Sequence, residues 1–438
     1  MVTLALPIAL QNLISFTVNF ADNIMVGTLG DLSISGVFIG NQIHTFLQFI
    51  TGGIGAALVI LSTQYWGKQD TKSIRSITVI CLWVGIGFGG VFTLFSAGFP
   101  GLVAGVLSNK SDVTAAAAPY LRITGCSFIF FSVSQILISS QRSVEKVRFG
   151  MYISLVTLVI NVSLNYCLIF GKFGLPALGV TGAAIATLIS RIVETAVVVV
   201  YVFFADKRIA LAFKDLFVFE KKFGSALLRY GLPVVLGDIV WAVNAFAYTA
   251  IAGRFTSDHI AAFNIAGMMN TLVYVWMSGL AAAVGIMTGK KVGSGETEAI
   301  KPYAYRVQKF FLCVGIVTGI FVFLTKGVLI SFYNISPEAI ISANQIMIVL
   351  SFTIAGTAYQ MTSLFGLVKS GGNISFVFKN DTIFVFLIVI PSAIIALLCN
   401  APAWFVFLCL KSDQLLKCFV AVVVVNRFKW IKNLTAVK

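Results

Sequence analysis

Long apolar runs, broken by short basic loops, set the pattern of this chain. Twelve of them fall near residues 4–26, 34–63, 76–99, 119–140, 150–170, 181–204, 232–254, 260–289, 305–333, 338–366, 376–398 and 402–425. Most exceed the roughly 20 residues that a helix needs to cross a bilayer. The runs do not alternate apolar and polar positions, so the pattern predicts spanning helices and not the strands of a barrel. The first run, LALPIALQNLISFTVNFADNIMVG from Leu4 to Gly27, carries a polar line. Gln11, Ser15, Asn19 and Asp22 recur at steps of four, four and three and so share one helical face. Asp22 is the only ionisable group in that run. A carboxylate inside a membrane helix costs about 2.5–3.5 kcal/mol on insertion scales, which points it at a wet cavity with a function there. The same line places Gln11 and Asn19 on the cavity. The alternative is a buried acid satisfied by its neighbours.

Composition narrows the class. The chain has 438 residues, 58% hydrophobic and 11% charged, against about 25% charged in a soluble domain. It is therefore expected to be an all-helical, multi-pass membrane protein in contact with the lipid bilayer. The net charge of +15 does not indicate nucleic acid, because the basic residues lie in short loops and form no continuous patch. One alternating set of loops holds 23 of them, among them Lys68, Arg142, Lys146, Lys222, Lys291, Lys369 and Lys438. The opposite set holds five, Lys110, Arg122, Lys172, Arg254 and Lys326. That bias predicts a plasma (inner) membrane protein with both termini in the cytoplasm. Seven scattered cysteines without a CxxC pair, and two histidines, give no disulfide framework or zinc site. The first run is not read as a signal peptide, since no small-residue cleavage site follows it.

The chain repeats itself. An offset of 226 lays Leu6-Pro7 on Leu232-Pro233, and Phe20, Gly27, Gly53, Gly67 and Thr71 on identical residues. Sixteen of the 69 positions from Leu6 to Ile74 match. Six spans separate the copies, so both halves enter the membrane in the same direction. The expected layout is two pseudo-symmetric six-helix bundles about an axis along the membrane normal, with a cavity between them. Residues 1–204 form the N-lobe, 205–230 a charged cytoplasmic linker and 231–438 the C-lobe. The acid is not repeated: Tyr248 stands where Asp22 was, and Asp238 appears opposite Asn12.

Other polar residues are candidates for chemistry. Asn161 and Asn165 share a helical face, as do Ala183 and Thr187. With a carboxylate they would supply oxygens to a small cation; interhelical hydrogen bonding is the commoner use of such amides. Asp238, Trp241 and Tyr248 share a face that suits an organic cation through charge and ring quadrupole, or is a buried acid among packing aromatics. Arg191 and Glu194 are expected to neutralise each other, Pro391 to bend its helix, and Asp381 to sit at a solvated helix end. Lys411, Asp413 and Lys417 interrupt the last run, so they face a cavity or mark an earlier helix end. His44 reads as a hydrogen-bonded core residue, and Gly52, Gly53 and Gly55 as close helix contacts. No GxxxxGK loop, HExxH or GxSxG is present, so no enzyme is expected.

Several motifs, in order, resemble one family. FADNIMVGTLG, TQYWGKQD, LPALGVTGAAIATLISRIVE, GLPVVLGDIVWAVN, VKSGGN and KWIKNLT are similar to the multidrug and toxic compound extrusion (MATE) transporters. The resemblance implies a V-shaped two-lobed fold of twelve helices. It also implies an antiporter that exports cationic or amphipathic organic compounds in exchange for Na+ or H+, with no cofactor and no obligate protein partner. It implies an ion site at Asp22, Asn161, Asn165 and Thr187, with a backbone oxygen from Ala183, and Na+ as one possible occupant. A lipid-intermediate flippase, or a membrane-embedded enzyme or scaffold, is the alternative. Where some members carry a helix 5 acid this chain has Asn165, and where many read GGDT it reads Gly371-Gly372-Asn373-Ile374.

Overall fold

A computed structural model describes residues 2–107, 111–333 and 335–436; Lys110 and Lys438 lie outside the described residues. All described regular structure is helical. Among the described residues ten helices are long and apolar enough to span a membrane. An eleventh span is a broken pair, Ser111–Gly125 with Phe128–Ser143, bent by 48°. A further apolar stretch forms two helices, Ala403–Leu410 and Ser412–Asn426, broken at Lys411.

The chain forms two compact units, residues 10–235 and residues 1–9 with 236–438. In the first, α1 (Val2–Gly27) leads to α2 (Asp31–Gly67) and α3 (Thr71–Gly98). A short helix that the hydrophobic pattern did not single out, α4 (Pro100–Leu107), precedes the bent pair α5 (Ser111–Gly125) and α6 (Phe128–Ser143). The span starts ahead of the expected residue 119, because Pro119 lies inside α5 and not at its start. Next come α7 (Val147–Phe170) and α8 (Gly179–Val200). Gly171, left-handed at φ 66°, ends α7, the position where a missing Cβ removes the steric penalty.

The short α9 (Lys221–Ala226) closes the first unit, and the second runs from within α10 (Leu232–Ala252) through α11 (Ser257–Gly293), α12 (Thr297–Ser331) and α13 (Pro337–Gln360). Ser336 caps α13 by accepting from the Ala339 N–H at 3.1 Å, with Pro337 at the first helical position. Then follow α14 (Ile374–Ile383), α15 (Ile390–Leu398), α16 (Ala403–Leu410) and α17 (Ser412–Asn426). Between α14 and α15 the helix widens into a π turn at Phe384–Val389, directly before Pro391. Proline lacks the N–H that a continuous helix would use there, and the wide turn absorbs the mismatch. The offset of 226 carries the 37-residue α2 onto the 37-residue α11 end for end. Gly279 allows the start of α1 to pack on α11: a Cβ there would lie 2.5 Å from the Ala9 backbone.

Each unit is tied at one end by the segment that follows its last span. In the first, Asp206 is buried and holds Lys146 (2.5 Å), Gln141 (3.1 Å) and the N–H groups of Arg208 and Ile209. Arg75 donates to the Ile209 carbonyl at 2.6 Å, and Trp83 to that of Leu216 at 2.9 Å. In the second, the KWIKNLT tail lies on the Gly371-Gly372-Asn373 turn. Trp430 is fully buried, and a Cβ on Gly371 would sit 2.2 Å from its ring. Lys432 donates its N–H to the Gly371 carbonyl at 2.8 Å and its ammonium to Asn373 at 2.9 Å. Gly372, at φ 105°, turns the chain.

Gly371→Ala is expected to lower the melting temperature of the detergent-solubilised protein, since overpacking costs about 1–3 kcal/mol; an unchanged melting temperature would refute the tail contact. Burial alone would raise the Asp206 pKa, but bonds from Lys146, Gln141 and two backbone N–H groups hold it below the ordinary 3.8. Its contribution to stability is therefore complete above that pH and is lost as pH falls through the folded value. The stability gap between wild type and Asp206→Asn should be full at neutral pH and close below about 4, read by thermal unfolding across pH.

Candidate functional site

In the first unit six helices, α6 with Phe128 among them, converge around Asp22. α1 brings Asn19 and Asp22, α2 brings Asn41 and His44, and α5 brings Tyr120 and Thr124. α7 adds Thr157 and Asn161, and α8 adds Thr187, Ser190 and Arg191. They wall a cavity of about 40 Å³. One water needs about 10–15 Å³, whereas drug-sized ligands occupy about 300–1,000 Å³. The space therefore suits a small ion or a few waters.

The Asn165 amide nitrogen donates to Asp22 Oδ1 and, at 3.2 Å, to Asn161 Oδ1. Asn165 Oδ1 is buried and unpartnered, an acceptor for which a cation would supply the missing contact. Asp22, Asn161 and Thr187 line the cavity with carboxylate, amide and hydroxyl oxygens, the kind of donors a hard cation takes, while Asn165 joins them through its amide nitrogen and is not part of the wall. Among the described residues no ion pair reaches Asp22. The nearby Arg191 pairs with Glu194 at 2.7 Å and lies 5.0 Å from the Phe131 ring centre. Glu194 also accepts from Ser134 at 2.7 Å. The guanidinium is committed elsewhere, so it contributes field without closing on the carboxylate.

The structure separates other members of the polar line. Gln11 does not line this cavity; it is buried and accepts from Arg142 Nη2 at 2.9 Å. Arg142, read in the sequence as a loop charge, is drawn inward by that bond. Ala183 lies beside the cavity in an apolar cluster with Val26, Val37 and Ile169. His44 meets Phe131 edge-on at 4.7 Å on the cavity wall, and among the described residues its contacts are aromatic. Of the glycines, Gly55 abuts Ser139, whereas a Cβ on Gly52 would meet open space, so Gly52 is not a close contact. Asn41, Tyr120, Thr124, Thr157 and Ser190 are wall residues that the hydrophobic pattern did not single out, and Arg191 stands there as well as pairing with Glu194. The signal for Tyr120 was Gly40, where a Cβ would lie 2.6 Å from its ring.

The second unit is charged differently. Asp381 is buried and binds Lys417 at 2.7 Å, which also pairs with Asp413 at 3.3 Å. That corrects the solvated helix end expected for Asp381. It also resolves the polar break in the last span: Asp413 and Lys417 turn into the unit because each neutralises the other one turn apart. The Trp241 ring lies 6.1 Å from that of Tyr274, with Lys417 Nζ 5.4 Å from its centre. Tyr248 donates to the Phe263 carbonyl at 3.1 Å, and Lys411 Nζ lies 5.6 Å from its ring centre. Asp238 sits within electrostatic reach of Lys369 and Asp381.

Long apolar helices, an internal repeat and a small polar cavity inside the first unit define a multi-pass membrane protein. The MatE family model matches residues 7–167 and 233–395, and the chain belongs to that family. It is 25% identical over 343 residues to a probable multidrug resistance protein NorM of Thermotoga maritima, covering 78% of this chain and 73% of that one. It is 27% identical over 344 residues to the probable multidrug resistance protein NorM of Listeria monocytogenes, covering 76% and 74%. Its fold matches a MATE crystal structure in complex with MaL6 at a TM-score of 0.89 and 18% identity, over 100% of this chain and 96% of that one. A MOP superfamily transporter from Pyrococcus furiosus matches at 0.86 and 18%, over 98% and 96%.

Gly40→Ala is expected to push Tyr120 off the cavity wall and to lower the melting temperature, at a cost of about 1–3 kcal/mol. Full thermal stability together with an unmoved Tyr120 would contradict the packing.

Proposed function

We propose that the protein is a secondary active multidrug exporter that couples outward movement of cationic or amphipathic organic compounds to inward movement of Na+ or H+. The observation that carries this reading is Asp22: a carboxylate within a long apolar helix, in a cavity of about 40 Å³, facing amide and hydroxyl oxygens and, among the described residues, in no ion pair with a basic side chain. The cavity is large enough for the coupling ion and too small for a drug. Asp22, Asn161, Asn165 and Thr187 therefore hold the ion. The aromatic and charged strip of α10, with Asp238, Trp241 and Tyr248, serves the substrate in the second unit. Relatives called probable multidrug resistance proteins support this substrate class.

Ion and drug need not meet on one carboxylate. The ion biases the N-terminal unit toward one of two states, and the drug is released from the state so favoured. A membrane potential adds about 2.3 kcal/mol per charge per 100 mV, enough to sustain a steep gradient. The basic-loop bias supports cytoplasmic termini, and the ion enters from outside, down its gradient.

In sealed proteoliposomes with sodium and pH gradients imposed separately, one of the two gradients should drive ethidium transport, and Asp22→Asn should reduce driven transport at least tenfold. Driven transport at the wild-type rate by Asp22→Asn would remove the carboxylate from coupling. Turnover of a substrate without any gradient would favour an enzyme instead.

A further inference from the structure

The segment between the last span of the first unit and α10 turns back along α3. Arg75 Nε donates to the Ile209 carbonyl at 2.6 Å, the Trp83 indole to the Leu216 carbonyl at 2.9 Å, and the Ser76 hydroxyl to Glu220 at 3.1 Å. Residues 209 and 220 therefore stand level with Arg75 and Ser76, and residue 216 stands beside Trp83. From Arg75 to Trp83 the helix advances eight residues, about 12 Å of rise. The apolar run of α3 begins near residue 76, so the segment dips to a level inside that run and climbs out again. Phe213 stacks on Phe203, at the end of the last span, with ring centres 4.4 Å apart. That contact fixes the descending limb against the same apolar layer.

The bottom of the dip is a short 3-10 turn, Phe213–Phe217. Phe213 is 52%, Phe217 77% and Phe219 59% exposed. Three such rings on one short segment make an apolar patch that is costly in water; at the level of the apolar run they meet acyl chains instead. The charge of the segment is one-sided. Its three acids are all engaged: Asp206 by Lys146 at 2.5 Å, Asp215 by the Ala212 N–H at 2.9 Å and by Arg75 at 3.9 Å, and Glu220 by Lys222 at 2.8 Å. Lys207, Lys214 and Lys221 are exposed and form no ion pair among the described residues.

Exposed rings at the level of an apolar run, with unpaired lysines around them, are the chemistry of an interfacial membrane anchor: the rings enter the acyl boundary and the ammonium groups meet phosphate. We infer that residues 207–222 bind anionic phospholipid of the leaflet at this end of the unit, with Phe213, Phe217 and Phe219 among its acyl chains and Lys207, Lys214 and Lys221 on its head groups. Lys214 stands between the rings and reaches the head groups along its own methylene stem. A second copy of the chain would bring the same positive charge to a contact between two such segments and be repelled; an anionic head group compensates it. The bonds from Arg75 and Trp83 hold the segment in place on α3, so the patch is preformed and lipid does not have to order it. The anchor is independent of the coupling ion and of the drug.

The test reconstitutes the full-length protein carrying Phe217→Trp into vesicles that mix phosphatidylglycerol with phosphatidylcholine, the acyl chains of one or the other being brominated. Brominated chains quench an indole that they touch, and the signal of the added indole is the difference from wild type in the same vesicles. Both brominated lipids should quench it, and phosphatidylglycerol should be favoured about fivefold or more over phosphatidylcholine, the scale of one lysine at an anionic surface. Lys207→Gln, Lys214→Gln and Lys221→Gln together should abolish that preference and leave the quenching itself. Lys207→Arg, Lys214→Arg and Lys221→Arg together, which keep the charge, should retain it. No quenching by either lipid would put the segment in water or against another protein chain. Equal quenching by both would leave an anchor blind to the head group, and a preference that survives the glutamine exchanges would place the lipid on other residues. Each of these three results overturns the inference.

Discussion

The organising constraint is one carboxylate in a membrane-spanning unit without a fixed counter-charge. A basic group lies close by, yet Arg191 is held by Glu194 and stacked on Phe131, and Ser134 fixes Glu194 in turn. Burying Asp22 carries a solvation cost that a tethered partner would offset permanently. Without such a partner, a mobile positive species is the remaining way to compensate the charge. Much of the unit serves that condition: Gly40 admits Tyr120, the break between α5 and α6 brings polar groups to the wall, and Gln11 is drawn aside by Arg142.

The duplicated scaffold carries unequal chemistry. An offset of 226 superposes α2 on α11 residue for residue, and in each unit the segment after the last span ties down the turn before the fifth. In the first unit that tie is Asp206 on Lys146; in the second it is Lys432 on Asn373. The interiors diverge. The first unit leaves a carboxylate open to a mobile cation, whereas the second supplies its own cations, with Lys417 satisfying Asp381 and Asp413. A tethered lysine there occupies the place that a mobile ion would need beside those two acids.

How much could be read beforehand follows from the range of each interaction. The spans and the repeat were legible because membrane helices need long apolar runs and a repeat keeps its glycines. Asp22 was legible because its cost is local to its own helix. The pairing of Arg191 with Glu194 was visible as one turn of spacing. What was not legible depended on contacts across sequence. Asp381 read as a helix end because Lys417 lies 36 residues away. Trp430 and Gly371 stood in separate motifs with nothing local to join them. Gln11 shared a face with Asp22, but Arg142, 131 positions on, decides where that side chain ends.

The most direct measurement of the central claim is proton release or sodium uptake by the purified protein, compared with its Asp22→Asn variant under equilibrium conditions. The account predicts one monovalent-cation site per chain in wild type, absent in the variant, with sodium and protons competing for it. Equal cation binding by both proteins, or none by wild type, would contradict it.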